Sequence, residues 1–290
     1  MNINQTYYKT IYDDVFCKTY SQSCYVFLCG GANKNNIRDN VRIILEQQNY
    51  QILYPEDLFS DLLNRNKSAD LFEYENLLAT NADIVCVICE SAGALTELGV
   101  FVQNESISAK MVAAVDTKYS RQKSFIMQGP IKHLRKTNAK RVIVYKSDEL
   151  EAFCKNLTSS FKNIQKNYSK SHKSISINTL SGYIAFIPIV LYFYKNIARK
   201  ELHSEIKSLL SEKQTSTSNF NDLFNAAVKY LLKSRMLIAN YDMTLNDEIL
   251  YLSDKGYNLT KNTLDKSYQS DRTILHDRIR LGIIKEQLNN

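Results

Sequence analysis

The sequence predicts an α/β fold, a doubly wound parallel Rossmann-like sheet, followed by a mostly helical winged-helix domain. Short apolar segments alternate with amphipathic ones through the first half, which is typical of strands joined by right-handed helical crossovers. Residues 84–89 are uniformly apolar, as a central strand covered on both faces has to be. After residue 180 a helical stripe precedes two short apolar segments, which indicates a helix followed by a hairpin.

The elements of the first half follow from residue spacing. Strands are expected at residues 25–29, 51–54, 84–89, 111–115 and 141–145. Apolar residues recur at helical spacing from Ile37 to Leu45 and predict a helix capped near Asn35 or Asn36. A second helix is expected near residues 69–80, and a third, after the central strand, carries Glu97.

The second half begins with a change of composition. Residues 158–179 are rich in Ser, Lys, Asn and Gln and show little periodicity, which indicates a linker. From Phe220 to Leu232 an apolar stripe recurs at helical spacing, and the apolar segments 236–239 and 249–252 then flank a polar turn. The predicted organisation is an α/β domain at 1–157, a linker at 158–179 and a winged-helix domain at 180–290.

Positive charge is concentrated in the second half. Residues 151–290 contain 20 Lys and Arg against 13 Asp and Glu, so they carry the whole net charge of +7. A basic half beside a neutral half suggests a polyanionic partner, although an ordinary solvated surface can have the same composition.

Two basic segments are candidate contacts for nucleic acid or another partner. Lys229, Lys233 and Arg235 lie at the end of the striped helix, where they can follow a nucleic-acid backbone. Arg135 and Lys136 belong to a run, Tyr119 to Ser147, that has eight basic residues and no acidic one. Winged-helix domains also serve as protein docks, and that alternative stays open.

Composition argues against several classes of protein. The longest apolar stretch of the second half, residues 184–194, contains Pro188 and is far shorter than the ~20 residues that a membrane span needs. No signal-peptide pattern is visible, so a soluble cytoplasmic protein without membrane contact is expected. Six cysteines lack framework spacing and four histidines are dispersed, which predicts neither a metal site nor a bound cofactor.

Three segments are expected to meet at the carboxyl edge of the sheet, where small-molecule sites lie in such folds. The turn after the first strand contains two glycines, which would leave backbone N–H groups open to a phosphate or ribose. This turn lacks the GxGxxG pattern, which argues against hydride transfer. Together the three segments predict substrate contacts at Gly30, Gly31, Ala32, Tyr54, Asp57, Ser91 and Gly93.

Glu97 is the predicted catalytic residue. Its spacing from the central strand places it in the first turn of the following helix, where a carboxylate is held in its charged form and can attack an electrophilic carbon. The alternative is a glutamate that only compensates the helix dipole. A capping-box role would need Ser or Thr where Ala94 stands, which weakens that alternative.

Short segments scattered in order over residues 25–140 carry a family resemblance. They are Phe27–Gly31, Tyr54–Phe59, Glu75-Asn76, Glu90-Ser91, Thr96–Gly99, Lys123–Ile126, Gly129-Pro130 and Leu134–Lys136. Because of these segments, the sequence resembles the nucleoside 2-deoxyribosyltransferase-like family. Within that family it resembles the effectors of retron anti-phage systems, in which such a domain precedes a winged-helix domain. Over the second half, the sequence resembles these effectors only in its predicted architecture.

The resemblance implies that Glu97 attacks the anomeric carbon of a sugar and that an N-glycosidic bond is cleaved. It places Glu75 where the family has an aspartate that handles the base, although Glu75 is longer by one methylene. Glu75 otherwise reads as a solvated helix residue. In the retron branch the expected substrate is NAD, whose depletion would stop an infected cell. Nicotinamide leaves as a neutral base, so the reaction needs no strong general acid.

The implied function is a toxic effector of retron defence, controlled by a reverse transcriptase and its multicopy single-stranded DNA/RNA in an oligomeric complex. Two alternatives stay open. One is a deoxyribosyltransferase of nucleotide salvage, which would have no use for a basic winged helix. The other is a nucleotide-sensing DNA-binding regulator, which would bind a nucleotide without turning it over.

Overall fold

The computed structural model describes residues 4–18, 24–31, 36–55, 58–59, 71–171, 177–215, 217–266 and 271–289. The chain divides into two compact units. The α/β unit comprises Ser23–Lys173, and the winged-helix unit joins Met1–Gln22 to Ser174–Asn290.

The N-terminal segment belongs to the winged-helix unit, which differs from the sequence-based limit of the α/β domain at 1–157. Helix α1 (Asn4–Thr10) contains the buried Tyr8, and a π-helical turn follows at Ile11–Val15. Phe16 is buried as well and packs edge-on against Phe186, with ring centroids 5.2 Å apart. These contacts join residues far apart in sequence, so local spacing gives no sign of them.

The α/β unit contains a five-stranded sheet in which every neighbouring pair is parallel, as predicted. Its strands are β1 (Cys24–Cys29), β2 (Tyr50–Leu53), β3 (Ile84–Ile88), β4 (Met111–Asp116) and β5 (Val142–Tyr145). The order is β2-β1-β3-β4-β5. Every residue of β1 and β3 is buried, because both faces of these strands are covered. Strand addition reverses direction between β1 and β3, so their carboxyl ends form the switch point of the sheet.

Helices cover both faces of this sheet. They are α2 (Arg38–Gln47), α3 (Leu71–Asn81), α4 (Ala92–Gln103), α5 (Glu105–Ser108), α6 (Thr117–Ser120), α7 (Phe125–Gln128), α8 (Pro130–Thr137) and α9 (Leu150–Ser171). On one face Leu28 packs in a core with Val41 of α2 and Phe161 of α9. On the other face Phe27 contacts Phe101 of α4, with ring centroids 5.9 Å apart. The sheet is therefore doubly wound, which confirms the predicted fold class.

Helix α9 differs from the linker predicted at 158–179, because the helix continues to Ser171. Phe153, Phe161 and Ile164 are buried and form a stripe at helical spacing that holds α9 against the sheet. The many polar residues between them lie on the other faces of the helix. Composition alone therefore concealed the helical period.

A buried lysine and a half-buried aspartate lie at the amino edge of the sheet. Lys110 is 5% exposed, and its Nζ donates to the carbonyl oxygens of Thr80 (2.6 Å) and Ala82 (2.5 Å). Asp83 accepts the N–H of Tyr25 at 2.8 Å. Burial lowers the pKa of Lys110 to about 8 against the opposing effect of Asp83, and burial raises the pKa of Asp83. These bonds tie together the starts of β1, β3 and β4.

The winged-helix unit has the predicted order of helices and hairpin. Its helices are α10 (Leu180–Tyr194), α11 (Arg199–Glu212), α12 (Phe220–Lys233), α13 (Asp254–Lys266) and α14 (Arg272–Asn289), and its strands are β6 (Asn196–Ala198), β7 (Leu237–Asp242) and β8 (Asp247–Leu252). The strands form an antiparallel sheet in the order β6-β8-β7. Helix α12 begins at Phe220, as the apolar stripe predicts. The hairpin turn is shorter than expected, and β6 is too short to stand out in the sequence.

Helix α10 is buried along most of its length and contains Pro188. Its cap is Thr179, whose Oγ1 accepts the N–H of Gly182 at 3.0 Å. In the part of the chain that the structure describes, no helix combines the length and apolar character needed to cross a bilayer.

Candidate active site

The carboxyl ends of β1 and β3 lie side by side at the switch point. Cys29 is in register with Val87, so the turn that begins at Gly30 is adjacent to the segment Glu90-Ser91 after β3. In sheets of this order, ligands bind in the crevice at this place. The structure thus brings two of the three predicted segments together.

Glu97 lies in the second turn of α4, whereas the sequence analysis placed it in the first. Ser91 is the N-cap, and its Oγ accepts the N–H of Ala94 at 3.2 Å. The first turn has no acidic residue. Because the effect of the helix dipole fades beyond the first turn, the dipole does little to stabilise the charged form of Glu97. Ser91, a predicted substrate contact, has a structural role as the cap.

Glu97 interacts with the thiol of Cys29. Cys29 points to the same face as Phe27, because side chains alternate along a strand. The pKa of Cys29 lies well above its ordinary value, first because the thiol is buried, and then because of the charge of Glu97 and a hydrogen bond with it. The charge of Glu75 acts in the same direction. Glu97 and Glu75, the two predicted catalytic residues, therefore share the surroundings of one buried thiol.

Packing holds Glu97 in this position. Phe101, one turn further along α4, contacts Phe27 in the strand that ends at Cys29. Glu97 itself is half-buried, and its Oε2 is shielded from solvent. Glu75 is half-buried on α3. A partly desolvated carboxylate interacts more strongly with developing positive charge than one in water does.

The helix surface just before Glu97 has no side chain at Gly93. Helical side chains lean toward the N-terminus, so that of Glu97 extends over Gly93, one turn earlier. Gly93 is exposed, and a Cβ there would meet only the Oγ of Ser91, at 4.0 Å. The missing side chain at Gly93 therefore leaves room for a ligand in front of Glu97.

Glu90 fills the place where the sequence analysis expected a phosphate or ribose. Its Oε1 accepts the N–H groups of Gly31 (3.1 Å) and Arg38 (3.2 Å), and its Oε2 accepts that of Ile37 (2.9 Å). The prediction that the Gly31 N–H is open to a substrate is therefore wrong. A helix N-terminus with free N–H groups is a natural anion site, and here a carboxylate of the same chain occupies it.

The two glycines before this helix are closely packed against the side chains of Asn36 and Glu90. A Cβ on Gly31 would lie 1.5 Å from Nδ2 of Asn36, and one on Gly30 would lie 3.0 Å from Oε1 of Glu90. The third residue of the predicted turn, Ala32, lies outside the described residues, as does Asp57 at the end of the second segment.

Tyr54 lies on the opposite face of the sheet from Cys29. It is buried in the core that contains Leu28, and its hydroxyl donates to Oδ1 of Asp39 at 3.4 Å. The guanidinium of Arg38 stacks over its ring at 4.4 Å from the centroid. Burial raises the pKa of Tyr54, an effect that the charge of Arg38 opposes. The structure therefore does not bring Tyr54 to Glu97.

Sequence reasoning missed the roles of Glu90 and Cys29. Each is the residue at or just beyond the end of a buried strand, and this position is the signal that could have marked them. Their partners are backbone amides and a side chain from another element, which no local spacing reveals.

The predicted partner contacts are distributed over both units. In the winged-helix unit Lys233 and Arg235 are exposed and Lys229 is half-buried. Arg235 has φ 57° and ends α12, with its N–H donating to the carbonyl of Leu232 at 3.0 Å. In the α/β unit Arg135 and Lys136 are exposed in the last turn of α8.

A basic groove of about 590 Å³ lies beside β5 in the α/β unit. Lys140, Lys162 and Lys166 line it together with Asn156 and Asn163. The sequence analysis missed Lys162 and Lys166, because they fall in the segment that it assigned to a linker. Their spacing of one helical turn is the signal that could have placed them on one face.

Comparison with known proteins finds a matching family and similar curated proteins. The model of the family described as STM3845 retron effector protein matches residues 34–240. An Escherichia coli protein named "Retron Ec86 putative ribosyltransferase/DNA-binding protein" is 40% identical over 132 residues, which cover 44% of this chain and 43% of that protein. A second E. coli protein, "Retron Ec73 putative ribosyltransferase/DNA-binding protein", is 36% identical over 118 residues, 37% of each chain. The chain thus matches less than half the length of these curated relatives.

Proposed function

This chain belongs to the STM3845 retron effector family, and from that premise we propose that it is the toxic effector of a retron anti-phage system. Its proposed activity is that of an N-glycosidase, which hydrolyses NAD at the bond between nicotinamide and ribose. The names of the two relatives contain the word ribosyltransferase, which describes chemistry at the same carbon of the sugar.

The observation that supports this proposal is that the charges of both Glu97 and Glu75 act on the buried Cys29 thiol, while the exposed Gly93 lies one turn before Glu97 on α4. Two carboxylates at one crevice suit glycosidic cleavage, whose transition state resembles an oxocarbenium ion. One carboxylate stabilises or traps the sugar carbon, and the other handles protons.

In the proposed reaction, the carboxylate of Glu97 attacks C1′ of the nicotinamide ribose from the face opposite the base. The C1′–N bond breaks, and its electron pair leaves with nicotinamide, which becomes neutral. Water then attacks C1′, the ester to Glu97 breaks, and the products are nicotinamide, ADP-ribose and a proton. Glu75 accepts the proton of the attacking water. Cys29, whose buried thiol interacts with Glu97, is a positioning residue.

We propose that the reverse transcriptase and its multicopy single-stranded DNA/RNA control this activity within an oligomeric complex. The exposed Lys233 and Arg235 of the winged-helix unit support a nucleic-acid contact, since both can pair with phosphates. The description of both relatives as DNA-binding proteins supports the same contact.

The test is the substitution Glu97→Gln in the full chain, with and without the retron partners. This change keeps the shape of the side chain and removes its charge, so nicotinamide release measured by chromatography should fall by about 10²–10³-fold. Glu105→Gln is the matched control, because Glu105 is exposed on α5, and it should release nicotinamide at the original rate. Circular dichroism would show that both variants are folded.

Three outcomes would contradict the proposal. Full turnover in folded Glu97→Gln would remove this residue from the mechanism. Exchange of free bases between nucleosides, without loss of NAD, would identify a salvage transferase. Tight nucleotide binding without any turnover, with all partners present, would identify a regulator.

A further inference from the structure

The winged-helix unit contains a second cavity, of about 330 Å³. Its polar lining includes Tyr194 at the end of α10, Glu201 on α11 and Glu286 on α14. Its apolar lining includes Ile197, Ile249 and Ile283. The volume falls at the lower end of the range for small-molecule sites. Neither this cavity nor its residues take part in the glycosidase site proposed above.

Two of the polar groups that line this cavity, the hydroxyl of Tyr194 and the carboxylate of Glu286, are buried without partners in the described part of the chain. Tyr194 is 7% exposed, and its hydroxyl has no hydrogen-bond partner there. The same holds for both carboxylate oxygens of Glu286, for Oε2 of Glu205 and for the hydroxyl of Tyr8. A buried polar group without a hydrogen bond costs about 1–3 kcal/mol, so such a concentration of them needs an explanation.

The charges around Tyr194 are all of one sign. Burial raises the pKa of Tyr194, and the charges of Glu286, Glu201 and Glu205 raise it further. Burial also raises the pKa of each of these three carboxyls. Among the described residues, no lysine or arginine lines the cavity. The cavity therefore offers hydrogen-bond acceptors and negative charge, and it lacks a cation.

Close helix packing maintains this arrangement. A Cβ on Gly282 would lie 2.1 Å from the hydroxyl of Tyr7, so glycine is required where α1 crosses α14. Glu286 is one turn beyond Gly282 on α14 and therefore keeps its place near Tyr194. On the other side, the ring of Tyr8 lies 5.0 Å from that of Tyr194.

The chemistry of the lining selects the class of ligand. In the part of the chain that the structure describes, no three His, Cys, Asp or Glu side chains are arranged to hold a metal ion. An ammonium group has three donors and no acceptor, which complements two carboxylates and a hydroxyl. The isoleucine side chains complement an aliphatic chain rather than water.

We propose that this cavity binds a small aliphatic amine, with its ammonium group held by Glu201, Glu286 and the hydroxyl of Tyr194. The aliphatic chain lies along Ile197, Ile249 and Ile283. Glu201 is exposed at the residue level and stands at the mouth, whereas Glu286 and Tyr194 line the interior. A bound amine supplies the donors that these buried acceptors lack.

The experiment is calorimetric titration of the full chain with 1,4-diaminobutane, and with 1,4-butanediol as the neutral probe of the same length. The diamine should bind and the diol should not. Glu286→Gln should weaken diamine binding at least about tenfold, since it removes one charge from the pair. Tyr194→Phe, which removes only the hydroxyl, should weaken it by a smaller factor. Glu212→Gln, on the exposed end of α11, is the control and should leave binding unchanged.

A third probe, Nα-acetyl-lysine methylamide, distinguishes the source of the ammonium. Tighter binding of the diamine than of this probe supports a free amine as the ligand. Tighter binding of the lysine probe would overturn the proposal in favour of a side chain from a partner protein. Equal binding of diol and diamine, or full affinity in folded Glu286→Gln, would also overturn it.

Discussion

Replacement of Glu90 by Gln should loosen the segment that leads from β1 into α2. The carboxylate accepts three backbone N–H groups, those of Gly31 and Arg38 on Oε1 and that of Ile37 on Oε2. An amide has one acceptor oxygen. Glu90→Gln therefore loses at least one of the three hydrogen bonds, and the remaining ones no longer involve a charge.

The size of this effect follows from the number of bonds. A hydrogen bond to a charged group contributes about 1.5–3 kcal/mol, and a neutral one contributes about 0.5–1.5 kcal/mol. Glu90 is half-buried, so water replaces part of what is lost. One lost bond and two weakened ones should lower the free energy of local opening by about 2–3 kcal/mol. At about 1.4 kcal/mol per factor of ten, this is about a 30- to 150-fold change.

Amide hydrogen exchange measures this local opening directly. The amides of Gly31, Ile37 and Arg38 should exchange faster in Glu90→Gln by that factor, while amides in the winged-helix unit keep their rates. The control is Glu149→Gln, because Glu149 is exposed and, among the described contacts, its carboxylate bonds only Nζ of Lys146, at 2.6 Å. Such a surface pair contributes about 0.3–0.5 kcal/mol, so the control should leave these amides unchanged. Equal exchange in both variants would refute the anchoring role of Glu90.

Two further predictions concern charge. The pKa of Lys110 is about 8 when folded and ~10.4 when unfolded, so the contribution of this residue to the free energy of unfolding should rise with pH between these values. Urea unfolding at pH 7.5 to 10.5 should therefore show the original chain gaining at most about 3 kcal/mol relative to Lys110→Met; the same pH dependence in both proteins would exclude a contribution from Lys110. Reversing the charges of Lys229, Lys233 and Arg235 together should weaken single-stranded DNA binding and lower the slope of log K against log salt by about 0.7 per lost phosphate contact. Fluorescence anisotropy at several salt concentrations measures both, and an unchanged slope would point to a protein dock or to the basic groove beside β5.

Sequence spacing was sufficient for the elements that are buried on one or both faces. The apolar run of β3 and the apolar stripe of α12 were enough to assign these residues to a strand and a helix, because burial gives the sequence a regular pattern of apolar residues. Helix α9 has such a stripe as well, but its exposed faces are so polar that composition outweighed the period. The N-terminal segment could not be placed, since the partners of Tyr8 come from helices near the other end of the chain.

The sequence predicted at which edge of the sheet the candidate site lies. It did not predict on which face of the sheet each residue lies. Glu97 and Glu75 were expected together, and both act on Cys29. Tyr54 was expected with them because it also follows a strand, yet strand alternation directs it to the other side. The role of Glu90 depends on three backbone amides, which leave no mark in the side-chain sequence.

The division of the chain into units has a consequence for its synthesis. The α/β unit is one contiguous stretch inserted between the two segments of the winged-helix unit. Synthesis starts at the N-terminus, so the α/β unit can fold once residue 173 has emerged from the ribosome. Helix α1 packs against α11 and α14, so it has to wait until the end of the chain has been made. Expression of residues 180–290 alone therefore leaves out Tyr8 and Phe16 from a buried core, whereas residues 23–173 include every residue of the α/β unit.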